Sequence, residues 1–363
     1  ASGQLRQISL SWTESKNAVG YNVYRRTGST GNFEKMTGTP LLKTVYADTI
    51  PSPEGDGVFY YYYITAISKK GEEVPSNTVR SMHGTRPAGK MESEGNLSLG
   101  YSELSPYVVD PGSELIINAV TFIIPADVSL YLLEGSQLSM LAAADNYGYV
   151  YVFGTLRTLG TAEDPVTITS HNAEGGAPAD GYGFGLTVQS GVDQPVTSLQ
   201  YAHINNLNYN GLNTVACSPI IEQCRIEAYG NVYLTILNGG PQIRNCAFDH
   251  VYLHVRSMSA AFPSLEVKDN RFYNLTSTCV AFRYSESGTL LAEQITNNSF
   301  ASANPQVELD DITDIAGTGD VKLGGNYWGQ DTAPLVNKEN GTVVGADFTP
   351  LLTAAPANIG PSW

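Results

Sequence analysis

The chain has 363 residues, a formal net charge of -15 and only 15% charged side chains, with 20 Lys and Arg scattered along it. That balance excludes a nucleic-acid partner, because neutralising phosphates needs clustered cations, and it slows acidic polysaccharides unless a local basic patch or bound cations offset the repulsion. The length suggests roughly two domains, and the abundance of Gly, Ser, Thr, Asn and Tyr suits a β-rich secreted protein.

The opening "ASGQLRQ" lacks Met, as expected of a secreted or surface chain whose signal peptide has been removed. Residues 6 to 82 then read as short strands separated by turn residues. "ISLSWT" places Ile8, Leu10 and Trp12 on one face, "GYNVYRR" turns Tyr21 and Val23 inward, and "FYYYYITAIS" aligns Tyr60, Tyr62, Ile64 and Ala66. Trp12, the Tyr60-x-Tyr62-x-Ile64-x-Ala66 string and "EEVPSNTV" resemble a fibronectin type III domain, with Tyr60 as candidate tyrosine-corner residue. The resemblance implies a β-sandwich over 1–82 acting as a spacer. The polar stretch that follows, 83–93, reads as a linker.

The apolar run at 115–133 is broken by Asn118, Pro125 and Asp127 into strand-like pieces and is no transmembrane helix. Farther on, one grammar repeats in "IIEQCRI", "QIRNCAF", "LEVKDNRF", "EQITNNSF" and "KLGGNYW". Ile221, Ile243, Val267 and Ile295 form one column. Three residues later come Cys224, Cys246, Asn270, Asn298 and Asn326, and two further on Ile226, Phe248, Phe272, Phe300 and Trp328. The repeat lengths of 22, 24, 28 and 28 residues are those of a solenoid. A spacing of two between inward residues is a strand, whereas a spacing of three flips the pleat, so each copy is strand, corner, strand. Inward Asn at a corner satisfies backbone groups through a side-chain ladder, and Cys serves there as a small buried hydrophobe. Cys224 and Cys246, one rung apart, are close enough to be bridged or to remain free thiols. Cys217 and Cys279 have no evident partner. The column Glu222, Arg244, Lys268 reads as an exposed ladder.

"VYVFGTLRTLGTAEDPVTITS", with Gly154, Leu156, Gly160 and Thr161, the turn-like Phe184-Gly185-Leu186 and the closing "GGNYWGQDTAP" resemble secreted bacterial right-handed parallel β-helix repeat proteins. The resemblance implies a right-handed parallel β-helix over 94–352, closed by the Asn-Tyr-Trp-Gly module, with roughly ten rungs and a tail at 353–363. It fixes fold better than function, since lyases, hydrolases, adhesins and structural proteins share this architecture.

Chemistry is harder to find. Hydrolysis needs two carboxylates facing one cleft. Asp249 and His250 sit side by side in sequence, where strict alternation sends them to opposite faces. Asp310, Asp311 and Asp314, with Glu308, offer oxygens for a calcium ion without a defensible ligand spacing, so calcium stays an option and no other cofactor is implied. Three strands, "NVYLTIL", "HVYLHVR" and "CVAFRYS", place Tyr233, Tyr252, His254 and Arg256 outward, with Arg283 beside them. Tyrosines there stack on sugar rings, and a His or Tyr near an Arg is able to take a proton next to a neutralised uronate. Four Asn-x-Ser/Thr sequons, at Asn96, Asn274, Asn297 and Asn340, carry little weight in an Asn-rich chain.

Two readings follow. The first is a non-catalytic structural or adhesive protein of the cell exterior that binds glycans, other surface proteins or copies of itself. The second is a polysaccharide lyase or glycoside hydrolase using His254, Arg283 and Tyr252.

Overall fold

A computed structural model describes residues 7–50, 58–101, 106–141, 148–172, 183–190, 196–256, 265–283, 294–310, 321–340, 342 and 345–363. Every regular element among them is a strand, and none of their segments is a helix long and apolar enough to cross a membrane. The chain divides into two compact units, 1–86 with 102–108, and 87–101 with 109–363.

The smaller unit consists of antiparallel strands. Gln7–Ser11 pairs with Val45–Thr49; Gly20–Thr27 lies between Glu34–Lys35 and Phe59–Ile67, which in turn pairs with Glu73–Pro75 and Val79–Met82. Alternation puts Ile8, Val23, Tyr60 and Tyr62 into one core with Ile50, and Leu10, Trp12 and Ile64 pack against it from half-buried positions. Asp48 is buried with them and needs compensation. Arg25 supplies an ion pair at 3.0 Å and the Tyr62 hydroxyl donates at 2.7 Å.

The larger unit is a parallel β-solenoid of about 8 turns, fewer than the sequence suggested. One reason is the turn between Thr155–Leu159 and Ser198–Gln200, neighbours in the sheet that are far apart in sequence. Each turn lays down three faces. Face one stacks Ser129–Leu133, Thr155–Leu159, Ser198–Gln200, Ile220–Glu222, Gln242–Arg244, Glu266–Lys268 and Ile295–Thr296 in parallel register. Face two begins at Lys90–Glu92, inside the stretch read as a linker, because those residues pair with 116–118. Face three runs from Asn96–Ser98 through Thr121–Ile124, Gly148–Val152 and Phe184–Val188 to the later halves of the long strands, then Thr278–Arg283, Gln306–Asp310 and Leu335–Glu339.

Corners are made by left-handed backbone. Between faces one and two, Tyr201, Gln223, Asn245, Asp269 and Asn297 all have φ between 47° and 59°. A left-handed residue re-aims the following side chain, so Ile221 and Cys224, three apart, both point inward. Cys246, Asn270, Asn298 and Asn326 then form a ladder. Asn298 Oδ1 accepts from the Asn270 N–H and side-chain amide, both at 3.0 Å, and Asn326 Oδ1 does the same for Asn298. The free amide hydrogens go to the carbonyls of Ile243, Val267 and Ile295. The four cysteines are free thiols, and the two in the ladder imitate the amide: Cys224 Sγ donates to the Leu199 carbonyl and Cys246 Sγ to that of Ile221.

Beside the ladder Phe248, Phe272, Phe300 and Trp328 stack at 4.5, 4.7 and 4.8 Å, within 17° of parallel, and Phe348 meets Trp328 edge-on at 5.4 Å. Phe184-Gly185-Leu186, read as a turn, lies inside a strand instead. Phe184, Leu186 and Val188 are all buried, and a side chain at Gly185 would strike Asn210. Residues 352–363 return along the corner between faces one and two. Leu352 N–H reaches the Asn326 carbonyl, Gly360 N–H that of Asp269, and the Trp363 indole N–H that of Gln223 at 2.9 Å, with the Arg225 guanidinium 4.7 Å over the Trp363 ring.

Candidate functional site

The register of face three brings the outward side chains of three neighbouring turns together. Val232, Leu234 and Ile236 face the core, as do Val251, Leu253 and Val255, so the residues between them point out. Tyr233 pairs with Tyr252, Thr235 with His254, Leu237 with Arg256, and Arg256 with Arg283. The two tyrosine rings stand 4.2 Å apart at 59°, and Tyr233 leans over the His254 imidazole at 4.8 Å.

His254 is 5% exposed, and its Nε2 has no hydrogen-bond partner among the described residues. Burial, followed by the charges of Arg256 and Arg283, lowers its pKa to about 4, so it is neutral at pH 7 and a weak base. Burial and the Tyr233 hydroxyl push the Tyr252 phenol far above its ordinary value. Arg283 is paired with Asp310 at 3.0 Å, whereas Arg256 is exposed. Of the calcium candidates, Asp310 is committed to Arg283 and to the Asn340 amide, while Asp311 and Asp314 lie outside the described residues. Among the described residues no three of His, Cys, Asp and Glu come together as a metal site.

Asp249 and His250 do not point to opposite faces. His250 occupies the corner between faces two and three with φ 58°, and the turn swings its Nδ1 to 2.7 Å from Asp249 Oδ1. Asn274 Nδ2 donates to the same oxygen at 2.7 Å, so this pair is a corner brace. In the exposed column of face one, Arg244 pairs with Glu266 on the next turn and not with Glu222.

A second outward cluster on face three went unread in the sequence. Tyr149 and Tyr151 on one strand and Phe153 just beyond its end stack in sequence, with ring centroids 6.2 and 6.1 Å apart and within 12° of parallel. The strict alternation of "GYVYVF" was the available signal. Tyr209 joins them from a bulge, close enough to Tyr149 to raise the pKa of its phenol.

No family model matches the chain, and no curated protein does. Among solved structures, a pectate lyase from Erwinia chrysanthemi, in complex with tetragalacturonic acid, aligns over 97% of this chain and 95% of its own at 12% identity, with a TM-score of 0.18. A pectate lyase from Pectobacterium carotovorum aligns over 99% and 97% at 11% identity, again with a TM-score of 0.18. Likeness this slight carries no argument about chemistry, and the solenoid stands on its own strand register.

Proposed function

We propose that the chain is an extracellular, non-catalytic protein that binds glycans on face three of its solenoid, with the smaller unit as a spacer of the fibronectin type III kind. The observation that carries this reading is the outward Tyr233–Tyr252 pair on the same strand face as the exposed Arg256. Tyrosine offers a flat apolar surface with a hydroxyl rim and loses little entropy on binding, and an exposed guanidinium is a ready partner for hydroxyl or carboxylate oxygens.

Catalysis is the poorer fit. Elimination next to a uronate needs a group able to take a proton near neutral pH. His254 is covered and held near pKa 4, the Tyr252 phenol is shifted the wrong way, and Arg283 is already ion-paired. The spacer assignment rests on the antiparallel strands around Trp12 and Tyr60, and the extracellular assignment on composition alone. Other copies or surface proteins remain proposed partners: the last strand of face three, Leu335–Glu339, has one edge unpaired among the described residues.

The test is a panel of acidic and neutral polysaccharides, with and without calcium, assayed for retardation in affinity electrophoresis and for reducing ends and unsaturated products. The expected result is retardation without turnover, with Tyr233→Ala and Arg256→Ala each weakening binding about tenfold. Turnover that His254→Ala abolishes would replace this reading with the lyase.

A further inference from the structure

Face three changes character along its length. The strands Asn96–Ser98, Thr121–Ile124, Gly148–Val152 and Phe184–Val188, and after them residues 211–215 and 232–237, contain no Asp, Glu, Lys, Arg or His. From the next turn onward the same outward columns hold His254, Arg256, Arg283, Glu308 and Asp310. In a chain of net charge -15, six successive uncharged layers of one sheet face are a chemical statement about what that face meets.

The uncharged part is also where the aromatic side chains stand. Tyr149 and Tyr151 project from one strand and Phe153 from its end, and the two strands that follow place Gly185, Thr187, Gly211, Asn213 and Val215 beside them, none of them charged or aromatic. Tyr209 is delivered by a dedicated device. The register slips between Ile204 and Leu212, and Asn208, itself 1% exposed, holds the bulge by donating to the Gly183 carbonyl at 3.2 Å and accepting from the Asn210 N–H at 2.9 Å. What that buried amide network presents to solvent is a tyrosine ring 58% exposed. Bulges that re-aim one side chain are commonly found next to binding sites.

We infer that the uncharged half of face three is a binding site for a neutral glycan chain, whose sugar rings pack on Tyr151, Phe153 and Tyr209 while their hydroxyls meet Thr187, Asn210 and Asn213. This rests on the glycan-binding reading and assigns it a ligand class and a second contact region. Three strand spacings separate the Tyr151 strand from that of Tyr233, about 14 Å. An extended oligosaccharide lying across the strands reaches both. An anionic chain would draw most of its affinity from Arg256, whereas a neutral one depends chiefly on the aromatic half.

The experiment is calorimetric titration of the full chain with neutral hexasaccharides of glucose, mannose and xylose and with hexagalacturonate, at low and high salt. The expected result is that a neutral probe binds with little salt dependence, that Tyr151→Ala and Phe153→Ala each weaken it about tenfold, and that Tyr151→Phe, which keeps the ring, restores it. Circular dichroism of each variant separates loss of the site from loss of the fold. No binding of any neutral probe overturns the inference. Binding that falls with Arg256→Ala and ignores both Tyr151→Ala and Phe153→Ala overturns it too, yet leaves the glycan-binding reading intact. Self-association of the sugar-free chain that disappears in Tyr151→Ala would assign the face to a second copy instead.

Discussion

The thiol of Cys246 does with one weak donor what each ladder asparagine does with two strong ones. Its Sγ reaches the Ile221 carbonyl at 3.5 Å, against 2.9 Å or less for the Asn270, Asn298 and Asn326 amides on their own carbonyls. Cys246→Asn is therefore expected to extend the ladder by one rung and raise stability in urea by about 1 kcal/mol. Asn298→Ala, which strands the Asn270 N–H and the Val267 carbonyl in a dry corner, should cost roughly 2–4 kcal/mol in the same assay. His254 has a different signature. The unfolded chain protonates it near its ordinary 6.5, the native one only near 4. Between those values the unfolded state binds more protons, so stability is fully present above pH 6.5 and falls as pH drops toward 4, by on the order of 3 kcal/mol. Urea titrations across that range should show the slope in the parent chain and its loss in His254→Phe.

Among elements, the aromatic stack is the most exacting. Phe272 is sandwiched between Phe248 and Phe300, so Phe272→Ala opens a cavity that neighbouring turns, fixed by their own ladders, cannot collapse into, and should cost about 3–5 kcal/mol. This stack and the Ile and Asn columns were legible in the sequence because a solenoid writes each layer with the same three inward residues. The outward run Tyr233, Tyr252, His254, Arg256 was legible for a related reason: two adjacent strands alternate cleanly. The corners were not. Asp249 and His250 obey no alternation because His250 takes a left-handed conformation, and single-residue backbone choices leave only a faint mark when Asn, Asp, His and Gln all accept them. The bulge at 205–211 was hidden likewise, since a run rich in Asn reads as a loop until the carbonyls its amides satisfy are in place. The burial of His254 beneath Tyr233 depends on a neighbour one turn away, which no local pattern encodes.

At the scale of the molecule, Asp and Glu outnumber Lys and Arg in the solenoid and not in the smaller unit. The two units also hold themselves together differently, one by antiparallel neighbours around Val23 and Tyr62, the other by layers each resting on the last. Scanning calorimetry should therefore resolve two unfolding transitions, and only the second should shift in Phe272→Ala; one transition shared by all variants would mean that the units unfold as one.

The returning segment at 352–363 has a mechanical meaning. It starts at the turn of Asn326 and is fastened at Asp269 and again at Gln223 and Arg225, so it crosses the layers at right angles to the strands it binds. A pull on Trp363 is thus felt first in the middle of the stack and not at its last layer. Those contacts must release before tension along the chain reaches the last layer, so the segment delays the unwinding of the stack from that end.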